Sequence, residues 1–316
     1  MTGMSATMLA GVEMGGTKCV CTLGTGPGDI RAQVTLPTLD PNTTLDSIAA
    51  VIQKWLAGAA PPTALGVASF GPIDLRRQSQ TYGRMGATPK RGWPNTDIAG
   101  YFTRRFSLPV GISTDVIGAA LAEGRWGDAR GLTDFVYITV GTGIGAGIVV
   151  GGQSVFGCHH PEVGHLRMVR AQGDTWPGNC PFHGDCVEGL ASGPAIAARS
   201  GQPGDSLPAD SPVWDTVAHT LAQLAHSLVA TVAPQRILIG GGVVSSQPHL
   251  FPRIRRAMLT SLNGYLHIPE MLNDVDRFIA PPGLGALAGP LGSLAVAAGI
   301  TPALSAAVPI ERQEPV

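Results

Sequence analysis

Two stretches of this 316-residue chain are built to one plan, and any fold proposed for one must serve the other. Residues 10–24 (AGVEMGGTKCVCTLG) are an apolar run, a glycine turn carrying Thr17 and a second apolar run. Residues 135–151 (FVYITVGTGIGAGIVVG) repeat that design around Thr142. Each predicts strand, tight glycine turn, strand. An amphipathic helix follows each: Leu45, Ile48, Ala49, Ile52, Trp55 and Leu56 recur at helical spacing in the first half, and Val217, Leu221, Leu224, Leu228, Val229 and Val232 in the second. Each helix leads to an apolar strand ending in glycine, at 64–71 (ALGVASFG) and 236–242 (RILIGGG). The pattern predicts a duplicated α/β chain of two lobes, its ligand in a central cleft where strand ends and glycine turns converge. The expected lobes are 1–118 and 119–286, with a last helix at about 287–300 packing back on the first. Residues 201–212, rich in Gly, Pro, Ser and Asp, read as a flexible surface loop.

Composition narrows the partners. Lys plus Arg number 21 against 22 Asp plus Glu, a net charge of -1, and the longest basic cluster is RIRR at 253–256, so the field of a nucleic-acid binder is absent. The 43 glycines are close to twice the usual share of about 7 %, and only 14 % of residues are charged. Backbone rather than charged side chains is expected to meet ligands. Two uncharged stretches, 135–161 and 278–310, are broken by Gly and Pro, which would strand backbone polar groups in lipid, so no membrane span is expected. Residues 1–11 lack the charged start and long apolar core of a signal peptide, and the expectation is an untargeted, cytoplasmic protein. Five cysteines, an odd number, do not make a disulfide framework.

Among residues that could carry chemistry, the glycine turns come first. Gly15-Gly16-Thr17-Lys18 and Gly141-Thr142-Gly143 each offer successive backbone N–H groups plus a hydroxyl, which is what phosphate oxygens need from a loop that approaches closely. One per half suits a triphosphate, although either alone could be only a tight hairpin. No G-x-x-x-x-G-K-[ST] occurs, and the 141–147 run precedes a strand rather than the helix of a Rossmann fingerprint. Cys180, His183 and Cys186, at C-x2-H-x2-C spacing, supply three soft ligands, and His165 upstream completes a closed Cys2His2 zinc set. His159 and His160 compete for the fourth position. Cys19 and Cys21, two apart on a strand, read as core residues. Asp115, between an apolar strand at 110–112 and a helix pattern at 118–123, either caps that helix or takes a proton from a substrate hydroxyl. Glu162 and Glu188 flank the cysteine loop, where paired carboxylates can accept hydrogen bonds from a sugar.

Together these residues resemble a known family. GVEMGGTK (11–18), SFGPID (69–74), TPKRGW (88–93), VGTGIG (140–145), PEVGH (161–165) and CPFHGDCVEGLASGP (180–194) are similar to the ROK sugar kinases and, within them, to the bacterial fructokinase branch. The match runs in order from about residue 10 to 300. Glu13, where the glucokinase branch usually has Asp, and the cysteine-histidine loop are features of that branch. The resemblance implies an actin-like ATPase (ribonuclease H-like) fold, a homodimer, ATP with Mg2+ as phosphoryl donor, a bound Zn2+ and phosphorylation of D-fructose to fructose 6-phosphate. It further implies Asp115 as catalytic base and Glu162, His165 and Glu188 on sugar hydroxyls. Zinc would be held by His165, Cys180, His183 and Cys186. Gly16, Thr17, Lys18, Thr142 and Gly143 would lie near the phosphates, and Pro194, Gly240, Gly241, Gly242, Val243 and Val244 near the nucleoside.

The chain departs from the family at Asp115-Val116-Ile117, where Asp-Val-Asn is usual, and in the apolar GALAG at 285–289. Because the same carboxylates can bind several epimers, a kinase for mannose, glucose or allose is the second expectation. A non-catalytic sugar-binding regulator is the third. A repressor would need a helix-turn-helix module before the first glycine turn, where about ten residues stand.

Overall fold

The fold was obtained as a computed structural model, and residues 7–301 are described. β1 (Leu9–Met14), β2 (Lys18–Gly26), β3 (Asp29–Pro37), α1 (Pro41–Leu56), β4 (Leu65–Ser69), α2 (Ile98–Arg105), β5 (Val110–Thr114) and α3 (Asp115–Trp126) come first. Then follow β6 (Phe135–Val140), β7 (Ile144–Val150), β8 (Gln153–Ser154), α4 (Val187–Ala191), α5 (Gly193–Ser200), α6 (Val213–Val232), β9 (Arg236–Gly240), α7 (Gly242–Ser246), α8 (Leu250–Leu262), α9 (Pro269–Asn273), α10 (Val275–Phe278) and β10 (Ile279–Ala280). The last described helix is α11 (Ala288–Gly299).

These elements form two units. The first holds the described residues through Arg130, Phe156–His160 and those from Ala286 on; the second holds Gly131–Val155 and Pro161–Gly285. Each has one five-stranded sheet, and the strand orders correspond: β3-β2-β1-β4-β5 and β8-β7-β6-β9-β10. In each, the glycine turn closes an antiparallel hairpin, with Val12 opposite Cys21 and Ile138 opposite Ala146. The first strand of the hairpin pairs in parallel with the strand after the helix, Val12 with Val67 and Ile138 with Ile239. The plan repeated in the sequence is therefore repeated in the topology.

The local reasons are plain in the first unit. Asp40 accepts a hydrogen bond from the Thr43 N–H at the start of α1, Pro41 occupies its first turn, and Leu45, Ile48, Ala49, Ile52 and Trp55 turn one stripe into the core. β1 and β4 are buried on both faces, as parallel strands covered on either side should be. Cys19 and Cys21 lie fully buried beside them, burial pushing the Cys21 thiol up to about 12. None of the five cysteines is in a disulfide.

α11 is apolar all round and packs on β1, β4 and α3. Where it crosses α3, a Cβ added to Gly292 would stand 2.6 Å from the Gly118 carbonyl carbon, so only glycine allows the approach. A division at 118 would cut α3, which instead lies whole in the first unit because it packs against β4 and α11. In the second unit, α6 carries the long apolar stripe, with Val217, Leu221, Leu224, Leu228 and Val229 buried. The 201–212 stretch is pinned rather than free: Gln247 donates to Gly204 O (3.1 Å), Trp214 Nε1 donates to Pro208 O (2.9 Å) and Leu207 is buried. Among the described residues no helix is long and apolar enough to cross a membrane.

Candidate active site

In the first unit the β1–β2 turn is closed by the Gly15 N–H donating to Lys18 O (2.9 Å). Its carbonyls are all taken. Gly15 O accepts from the Thr38 hydroxyl (2.8 Å), Gly16 O from the Lys90 ammonium (2.7 Å) and Thr17 O from the Thr38 N–H (2.9 Å). The N–H groups of Gly16 and Thr17 meet no acceptor among the described residues. Gly16, Thr17 and Lys18 are exposed, so the turn presents donors to whatever approaches it.

Asp115 is the first residue of α3, at the carboxyl end of β5. The cap of that helix is Thr114, whose hydroxyl accepts from the Ile117 N–H (3.2 Å), while Asp115 Oδ1 accepts from the Val116 N–H (2.9 Å). The capping residue of α3 is thus Thr114, and Asp115 takes a second N–H of its first turn. Ile117, where the family usually has Asn, is 2 % exposed and sits with its side chain in the protein interior. Glu13 on β1 lies against Gly289 in the first turn of α11. Burial, and then the Asp115 charge, hold its carboxyl up at about 7, with Lys18 opposing.

In the second unit the β6–β7 turn follows the same principle. Gly141 N–H donates to Gly143 O (2.9 Å), Gly141 O accepts from the Gly193 N–H (2.8 Å), and the Ile144 N–H donates to Glu188 Oε2 (3.0 Å). Thr142 is exposed at the tip. Glu188, on α4, therefore has one carboxylate oxygen engaged by the turn. Gly193 opens α5, which Ser192 caps and in whose first turn Pro194 is exposed. β9 ends in Gly240 and enters α7 through Gly241, whose φ is 90° and where a Cβ would fall 2.5 Å from the Val140 N. Only glycine fits there. Val243 faces Gly193, so Thr142, Gly143, Pro194 and 240–244 gather at the carboxyl ends of β6 and β9.

The cysteine loop belongs to the same unit. His165, Cys180, His183 and Cys186 each offer a ligand atom, and these lie within 4.8 Å of one another. His165 Nδ1 is 3.8 Å from Cys180 Sγ and 3.7 Å from Cys186 Sγ, and His183 Nδ1 is 3.7 Å from Cys180 Sγ. A tetrahedral zinc with Zn–S of about 2.3 Å and Zn–N of about 2.0 Å has S···N edges of roughly 3.6 Å, so the donor set fits that ion. His165 is the histidine that joins this cluster, whereas His160 Nε2 faces the Ile73 N–H (3.3 Å) in the first unit. Gly164 packs directly on Ile144, which brings the 163–165 turn to the start of β7 and leaves Glu162 exposed beside it.

An ion-pair lattice supports the loop. Asp174 takes Arg199 through two bonds (2.7 and 3.1 Å) and Arg170 at 3.0 Å, and Arg170 also reaches Asp185 (3.0 Å), the neighbour of Cys186. Arg199 and Arg170 together hold the Asp174 carboxyl down at about 2. Sequence reasoning gave no role to Lys90, Thr38, Gly193 or this lattice. The TPKRGW stretch flagged the first of them, but only the fold shows what it reaches.

Fructokinases of Pediococcus pentosaceus and Zymomonas mobilis subsp. mobilis (strain ATCC 31821 / ZM4 / CP4) are similar to this chain. The first is 37 % identical over 290 residues, spanning 92 % of this chain and 97 % of that one; the second is 40 % identical over 290 residues, spanning 90 % and 95 %. Among solved structures, a ROK hexokinase from Thermus thermophilus aligns with a TM-score of 0.74 at 25 % identity, over 92 % of this chain and 98 % of that one. The duplicated sheets are thus those of an actin-like sugar kinase fold. Residues 9–299 match the ROK family as a whole, and by that match, nearly the full described length, the chain belongs to the ROK family.

Proposed function

We propose that this chain is an ATP-dependent fructokinase that transfers the γ-phosphoryl group of ATP to the 6-hydroxyl of D-fructose. The observation that carries the reading is the pair of glycine turns, one in each unit: in the first the Gly15, Gly16 and Thr17 carbonyls are tied back and the Gly16 and Thr17 N–H groups stand open, and in the second Gly141 O is held by the Gly193 N–H with Thr142 exposed at the tip. The fructokinase relatives at 37 % and 40 % identity support fructose as the acceptor.

In this reading Asp115 accepts the proton of the sugar hydroxyl as its oxygen bonds the γ-phosphorus and the bridging oxygen leaves with ADP. Mg2+ bound with the nucleotide would supply charge neutralisation. Gly16, Thr17, Lys18, Thr142 and Gly143 hold the phosphates, and Pro194 with Gly240 to Val244 lines the nucleoside. Glu162, His165 and the free oxygen of Glu188 orient the sugar. Zinc on His165 Nδ1, Cys180, His183 and Cys186 would fix the cysteine loop and put the remaining His165 proton on Nε2, a donor for a sugar oxygen. The assembly read from the resemblance is a homodimer, and the compartment the cytoplasm.

A coupled ADP-release assay over a panel of hexoses, with and without Mg2+, tests this. Fructose should give the fastest Mg2+-dependent release. Faster turnover of mannose, glucose or allose would move the assignment to that sugar. A flat panel with tight sugar binding would leave the regulator reading in place.

A further inference from the structure

Lys90 lies in the loop between β4 and α2, and that loop is firmly seated. The Trp93 N–H donates to Lys90 O (3.2 Å), the Trp93 indole N–H donates to Leu39 O (3.0 Å), and the Trp93 side chain is fully buried. The backbone carrying Lys90 is therefore fixed next to residues 38–40. From there its ammonium reaches Gly16 O at 2.7 Å and Thr38 O at 3.4 Å. Thr38, 8 % exposed and itself held by Cys19 Sγ (3.3 Å), binds the carbonyls on either side of that one.

A trans peptide points its C=O and its N–H in opposite directions. Fixing Gly15 O therefore fixes the direction of the Gly16 N–H, and fixing Gly16 O fixes the Thr17 N–H. The two donors that meet no acceptor are those whose partner carbonyls are clamped. We propose that Lys90 and Thr38 act as a two-point clamp that presets the turn for the nucleotide's phosphates, Lys90 being a positioning residue for ATP. The clamp rests on the phosphate reading of the turn. Its two arms differ in charge, which separates it from simple attraction: Lys90 brings a cation, Thr38 only a hydroxyl and a backbone N–H.

The test is ATP affinity by titration calorimetry without sugar, with KM for ATP and for fructose and the Tm of each variant. Lys90→Met should weaken ATP binding about 10- to 100-fold, the range expected for one charge-assisted hydrogen bond. KM for fructose should stay within about twofold and Tm within a few degrees, effects too small for general damage to explain the loss. Lys90→Arg should recover part of the affinity. Thr38→Val, which keeps shape and removes the hydroxyl, should weaken ATP about 3- to 10-fold, and the double variant should lose less than the product of the two, because both act through one turn. Parent-like ATP affinity in Thr38→Val beside a weak Lys90→Met would overturn the clamp in favour of direct charge attraction. Parallel loss of fructose KM and Tm would overturn it in favour of misfolding. Wild-type protein that binds ATP and phosphorylates no hexose removes the fructokinase reading alone, and the affinity ratios still decide the clamp; wild type without ATP binding removes both.

Discussion

Thr114 and Asp115 stand side by side at the start of α3, and one substitution at each separates the cap from the proposed base. Thr114 caps the helix. Thr114→Ala should therefore cost about 1 kcal/mol, seen as a lower Tm. Asp115→Asn keeps the size and the bond to the Val116 N–H, so Tm should hold while turnover falls at least about 100-fold, the loss typical of a missing general base. A well-folded Asp115→Asn enzyme within a few-fold of the parent rate would return Asp115 to a structural role. The sequence left cap and base open for Asp115 because Thr and Asp are both good caps and the helix boundary, which decides between them, was uncertain by a residue or two. Glu13 makes the second prediction at this scale. Its carboxyl is raised from 4.5 to about 7, so the folded state binds that proton more tightly than the unfolded chain does. The stability this proton confers is fully present below pH 4.5 and lost as pH rises through about 7, a change of order 3 kcal/mol at most. Urea unfolding of Glu13→Gln over that window should show a flatter pH dependence than the parent. An identical slope in both would mean Glu13 is not the titrating group.

At the scale of elements, the cysteine loop shows how far spacing carries a reading. C-x2-H-x2-C was legible because three candidate ligands in one short loop need no tertiary information. The fourth candidate was not: seeing that His165, rather than His159 or His160, joins those three requires knowing that Gly164 docks on Ile144 and that His160 faces Ile73. The engagement of Glu188 by the Ile144 N–H was hidden for the same reason, since no periodicity links a helix to a distant turn. Protein purified without a metal-binding tag should contain close to one zinc per chain by elemental analysis, the stoichiometry of one closed Cys2His2 set. The lattice behind the loop gives a sharper measurement. Asp174 touches no ligand, yet it orients Arg170, which holds Asp185 beside Cys186. Asp174→Asn should weaken zinc by about 10-fold, read by competition with a chromophoric chelator, as supporting groups around metal ligands commonly do. Unchanged affinity would show the lattice to be surface decoration.

At the scale of the molecule, the two hairpins predicted the duplicated sheets because alternating apolar runs around glycine turns fix both strand pairing and the parallel return after the helix. The unit boundary was less legible, since α3 belongs to the first unit through its packing on α11, a partner far along the chain. Gly292→Val tests that packing. A branched side chain against the Gly118 backbone should destabilise the first unit by about 1–3 kcal/mol. Hydrogen exchange should accelerate in β1, β4 and α3 and leave β6 and β9 protected. Loss of protection in both sheets together would show that the units do not unfold separately.

The position of α11 also sets an order of events on the ribosome. Every strand and helix of the second unit, through Gly285, emerges before the helix that covers β1 and β4. The unit begun first is finished last. Until α11 arrives, two largely apolar strands of the nascent chain, β1 and β4, wait with a bare face, a surface that invites a chaperone or a neighbouring chain.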